Sequence, residues 1–168
     1  MKRDSKNPYP NLKELIKYHP YHISTFANFA NVELDLLEAA LIGEEELTAR
    51  ELMGISCYGR VPFGVLASPS LVMLDPLSLK HKRMLAGMQD ALARIEAAVE
   101  DGSRAAADFM YTYPSLYLNA VSSLCEDFSL GRPVTYCRYM GVRARIEQCL
   151  GSIAIERMER RKRGRGSR

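Results

Sequence analysis

Residues 23–43 read ISTFANFANVELDLLEAALIG, and this stretch decides the fold. Its apolar residues recur at helical spacing on both sides of one polar break. Before the break, Phe26, Phe29 and Ala30 form a stripe, and Ser24 is placed to cap it. After it, Leu34, Leu37, Ala40 and Leu41 form a second stripe, and Gly43 stands where a helix stops. Asn31 is the break, because asparagine accepts the left-handed backbone conformation better than most residues. Val32 follows as an apolar plug. Two short helices that cross steeply need a small residue at the close approach, and Ala27 supplies it. The spacing predicts two helices over a tight turn, with Phe26, Ala27, Val32, Leu37 and Ala40 buried.

The helical period continues outward. NLKELIKY (11–18) offers Leu12, Leu15 and Ile16 on one face, with Asn11 as its cap and Pro20 as its end. LTARELMGISCYG (47–59) and VPFGVLAS (61–68) follow, and Pro69 and Pro76 frame a boundary. Beyond it, residues 77–100 step through Met84, Met88, Leu92, Ile95 and Val99 and close at Asp101-Gly102. Residues 103–128 are helical with an interruption at Pro114, and residues 130–133 turn. Residues 134–160 form the last long helix, with Tyr139, Val142, Ile146, Cys149, Leu150 and Ile153 inward. No alternating pattern of strand length occurs. The expected fold is all-α: a flexible arm at 1–10, five short helices within a domain at 11–75, a bundle of three or four helices at 77–160, and a basic tail at 161–168.

Apolar residues make up 47% of the 168 and charged residues 26%, a globular balance that excludes wholesale disorder. No apolar run approaches the roughly 20 residues of a membrane span, and MKRDSKNPYP has no apolar core of a secretion signal. A cytoplasmic protein without membrane contact is expected. Cys57, Cys125, Cys137 and Cys149 lack the spacing of a zinc site, and Cys149 reads as a core residue. The net charge of +3 is unevenly spread. Residues 152–168 carry seven bases and two acids, whereas residues 33–46 carry six acids and no base. Basic tails are commonly solvated, and some bind nucleic acid.

With these residues in place, residues 11–67 resemble the phage lambda repressor/Cro family of helix-turn-helix domains, also called the xenobiotic-response-element type. The register holds without gaps. NLKELIKY resembles that family's first helix, TFANFANV its second helix and turn, and ELDLLEAALIG its recognition helix. ELMGISCYGRVPFGVLAS looks like the family's closing segment, with Ile55, Val61 and Leu66 on core positions. The remainder looks like the helical extensions that accompany such domains in bacterial and prophage proteins. The resemblance implies a DNA-associated transcriptional regulator that reads double-stranded DNA. Residues at candidate contact positions are Ser24, Thr25, Asn28, Glu33, Leu34, Asp35 and Glu38, with basic support from Lys13, Lys17 and the tail residues Arg160, Arg161, Lys162 and Arg163. The family typically begins its recognition helix with Gln, Arg, Ser, Thr or Asn, and this chain places acids there. Duplex DNA carries one negative charge per about 1.7 Å of axis, so an acidic helix is repelled from it. The alternative is a protein-interaction module on the same scaffold, its acidic face docking a basic protein.

Other chemistry finds little footing. No phosphate loop, dinucleotide fingerprint, nucleophile elbow or zinc-protease motif occurs, so no enzyme and no cofactor are expected. His19 and His22 sit three apart without further ligands and read as helix-end residues. Tyr111, Tyr113, Tyr117, Tyr136 and Tyr139 read as packing residues and not as a base-stacking platform. Residues 77–100 show fewer than four clean heptads, which favours an intramolecular bundle over a coiled-coil seam and leaves a homodimer open.

Overall fold

The computed structural model describes residues 7–112 and 118–166. These hold no strand and run, in order, through α1 (Pro10–Tyr18), α2 (Ile23–Ala30), α3 (Leu34–Leu41), α4 (Ala49–Gly59), α5 (Phe63–Leu66), α6 (Leu79–Glu100), α7 (Arg104–Ala107), a π-helical turn (Asp108–Thr112), α8 (Leu118–Ser129) and α9 (Tyr136–Gly166). Among the described residues, no helix is long and apolar enough to cross a membrane. The chain forms two compact units. One is Met1–Leu74 with Pro133–Gly141, and the other is Asp75–Arg132 with Val142–Arg168.

In the first unit, α2 packs on α3 and α4, and α1 packs on α3 and α5. The six residues expected in its core, Phe26, Ala27, Val32, Leu37, Ala40 and Ile55, are all buried. Asn31 adopts φ 57°, and the Val32 amide donates to the Ala27 carbonyl at 3.0 Å, which closes α2. Gly43 takes φ 80°, and the following amide of Glu44 returns to the Ala39 carbonyl at 2.9 Å, which closes α3. Gly54 admits a close helix crossing: a Cβ there would lie 2.5 Å from the Ala30 carbonyl oxygen. Thr48 and Glu51 form a reciprocal capping box at the start of α4.

Four local expectations are corrected in this unit. Asn11 does not cap α1. Pro10 occupies the first turn, Tyr9 precedes it, and Asn11 is fully buried. Its Nδ2 donates to the Ser70 carbonyl at 2.8 Å and its Oδ1 accepts from the Val72 amide at 2.9 Å, so Asn11 fastens the connector after α5. Ser24 does not cap α2 either. The imidazole of His22 accepts the Ser24 amide at 3.3 Å, which starts the helix two residues earlier. Phe29 is 60% exposed, because the crossing of α2 with α3 and α4 is satisfied by Phe26, Ala27 and Ala30. Its ring is stacked with those of Tyr21 and Tyr58 at 5.9 and 5.6 Å. Leu34 and Leu41 are half-buried, at the margins of the α3 stripe.

Residues 133–141 complete the unit. The Leu74 amide donates to the Val134 carbonyl and the Tyr136 amide to the Val72 carbonyl, at 2.8 and 2.9 Å, forming a single antiparallel bridge. The Thr135 hydroxyl donates to Glu14 at 3.0 Å, and Gly141 lies so close to Tyr18 that a Cβ would sit 2.8 Å from its backbone. Burial and the neighbouring Glu14 charge push the Cys137 thiol up to about 12.

In the second unit the buried face of α6 is Leu85, Met88, Ile95 and Ala98, with Met84, Leu92 and Val99 half-buried beside it. The face is rotated slightly from the predicted stripe. Val121, Leu124 and Phe128 of α8 are buried, as are Val142, Ile146, Cys149 and Ile153 of α9, while Leu150 is half-buried. The thiol of Cys149 is pushed up to about 11 by burial. The interruption expected at Pro114 lies outside the described residues, as do Tyr113 and Tyr117. Tyr139 is buried and Tyr136 half-buried, but Tyr111 is 71% exposed and packs little. The last helix runs past its expected end at 160 to Gly166. Arginine and lysine are good helix formers, and positive charge is favourable at a helix C-terminus.

Candidate nucleic-acid interface

Two surfaces carry the predicted contact residues. The first is the corner where α2 meets α3. Ser24, Asn28, Glu33 and Leu34, with Ala27, Asn31 and Val32, line one open concavity of about 380 Å³. The left-handed turn at Asn31 sets this geometry by bringing Glu33, the residue before α3, back beside the start of α2. Thr25 is half-buried on α2 and does not line the concavity. Asp35 and Glu38 are exposed along α3, and Glu44, Glu45 and Glu46 continue the exposed acids into the next loop. Among the described residues, none of these six acids pairs with a base. Lys13 and Lys17 are exposed on α1 and stand outside the concavity, the Lys17 ammonium resting 5.2 Å above the Tyr18 ring.

The second surface is the end of α9, in the other unit. Arg157, Arg160, Arg161, Lys162, Arg163 and Arg165 are all exposed. Arg160 is committed in part to structure, since its guanidinium donates to the Gly102 carbonyl at 2.7 Å. One turn earlier, Glu156 accepts from the Ser103 hydroxyl and from the Ala105 amide, each at 2.7 Å. Those bonds, the Ser103 one first, hold the Glu156 carboxyl below its ordinary range. Glu156 and Arg160 thus grip the corner between α6 and α7. The negative group meets the start of α7, and the positive group meets the carbonyl of Gly102, which takes φ 81° just after α6. Sequence reading passed over this pair. Their i, i+4 spacing is visible, but their partners lie more than fifty residues away. Arg161 and Lys162 make no such bonds among the described residues.

His19 and His22 serve local structure. His19 is buried with its ring 5.1 Å from Phe26 and 5.7 Å from Tyr58, and His22 caps α2. No group of three or more metal-binding side chains occurs among the described residues. The chain matches no known family model, no curated protein and no solved structure.

Proposed function

We propose that this is a DNA-associated regulator with a helix-turn-helix head of the lambda repressor/Cro type and a helical bundle. In this reading the basic end of α9, and not α3, carries the attraction for duplex. One observation carries the proposal: α9 continues as helix to Gly166 with its bases exposed. Such a helix neutralises phosphates without reading base edges, so its binding discriminates little between sequences. The head supports the regulator reading through the left-handed Asn31, the buried plug Val32 and the buried Ala27. A second reading, a protein-interaction module, draws on the unpaired acids at Glu33, Asp35, Glu38 and Glu44–Glu46. There the head docks a basic protein surface.

Fluorescence anisotropy with duplex DNA, titrated in salt, separates the two. Neutralising Z phosphates makes log K fall with log salt at a slope of about −0.9Z. Removing residues 157–168 deletes seven bases and should flatten that slope markedly. Converting Glu33, Asp35 and Glu38 together to Gln should tighten binding without altering sequence preference. A full-length protein that prefers one operator and loses that preference in the triple variant would show that α3 reads bases. Failure of both proteins to bind duplex at low salt would leave the protein-docking reading.

A further inference from the structure

Three arginines of the second unit are held by a carboxylate or a carbonyl. Arg143 bonds Glu147 at 3.0 Å, Arg132 bonds Asp127 at 3.2 Å, and Arg160 bonds the Gly102 carbonyl. Arg94 and Arg157, like Arg83 and Arg161, make no ion pair or side-chain hydrogen bond among the described residues; what sets Arg94 and Arg157 apart is their shared groove. That groove runs between α6 and α9 and has a volume of about 290 Å³. Its remaining lining is Ala97, Leu150, Ile153 and Ala154, with no acid and no hydroxyl.

We propose that this groove binds a small organic anion, with its carboxylate between Arg94 and Arg157 and its short apolar body on Ala97, Leu150, Ile153 and Ala154. Two guanidinium groups on one groove repel each other, and a carboxylate between them turns that repulsion into two attractions. The planar fork of each arginine matches a carboxylate's two oxygens. The apolar lining offers methylene groups an escape from water and offers a bare inorganic ion nothing. The alanines at 97 and 154 keep the walls low, which leaves room for a ligand body. The groove shares Arg157 with the basic end of α9, but its other arginine, Arg94, lies on α6, and the ligand class is set by the apolar lining that phosphate does not use.

Isothermal titration of the full-length protein with hexanoate, acetate and inorganic phosphate at matched ionic strength tests it. Each buried methylene tightens binding about fourfold, so hexanoate should bind well over tenfold tighter than acetate. Loss of one charge-assisted hydrogen bond weakens binding about tenfold, the effect expected of Arg94→Gln on hexanoate. Ala97→Leu keeps a good helix former and fills the groove, so it should erase the advantage of hexanoate over acetate. Arg83→Gln removes the same charge from the same helix outside the groove and should leave hexanoate binding unchanged. Equal binding of phosphate and hexanoate would overturn the proposal in favour of a general cationic surface. So would equal losses in Arg83→Gln and Arg94→Gln, or undiminished hexanoate preference in Ala97→Leu.

Discussion

Ala27 and Asn31 make opposite demands on one turn of chain. At Ala27 the requirement is volume. The residue is 1% exposed, beneath the crossing of α2 with its neighbours. Ala27→Leu therefore forces added atoms into a filled site and should cost about 1–3 kcal/mol, read as a lowered urea midpoint at unchanged slope. An unchanged midpoint would mean that the corner has room to spare. At Asn31 the requirement is backbone, since φ 57° excludes β-branched residues and leaves the exposed side chain free to vary. Asn11 shows a third kind of demand. Its amide supplies one donor and one acceptor to a connector some sixty residues away, a role that its neighbours in sequence do not foreshadow.

Among the elements, α9 holds most of what sequence reading missed. Its apolar stripe at Val142, Ile146, Cys149 and Ile153 is legible because it repeats every three or four residues. Beyond Ile153 the residues that meet the α6–α7 corner are Glu156 and the exposed Arg160, so the apolar stripe stops where contact continues through polar bonds. That substitution of charge for hydrocarbon is why the helix reads as ending near 160. The α2–α3 corner was legible for the opposite reason: its small residue, turn residue, plug and terminal glycine all lie within twenty-one residues. The expected caps at Asn11 and Ser24 each lie two positions past the observed ones, because Pro10 takes the first helical position of α1 and His22 caps α2. The Glu156 grip has a definite pH signature. Its folded carboxyl titrates below its unfolded value of about 4.3. Its contribution is therefore present above that value and lost as pH falls through the folded one. Glu156→Gln should melt below wild type at pH 7, and the gap should narrow as pH falls below the unfolded value and on through the lower folded one. A gap that does not change with pH would show that ionisation of Glu156 is not what stabilises the corner.

At the scale of the whole molecule, the first unit is discontinuous in sequence. Its chain leaves at Leu74 and returns at Pro133. The returning residues Val134, Cys137, Tyr139 and Met140 are buried, and each apolar side chain so buried contributes roughly 1.5–3 kcal/mol. Their sum rivals the roughly 5–15 kcal/mol of a typical folded domain. A fragment of residues 1–75 should consequently lack a cooperative thermal transition by circular dichroism. A sharp melt at the full-length temperature would show that the returning segment is dispensable. The same discontinuity acts on time. At the roughly 5–20 residues per second of translation, the ribosome needs on the order of several seconds after making Leu74 to supply Gly141. Throughout that interval the nascent head holds its acidic corner without the segment that fastens Glu14, Tyr18 and Val72. A message broken upstream of codon 133 thus yields no finished head, and a truncated product is open to proteases before it is able to compete with the complete protein.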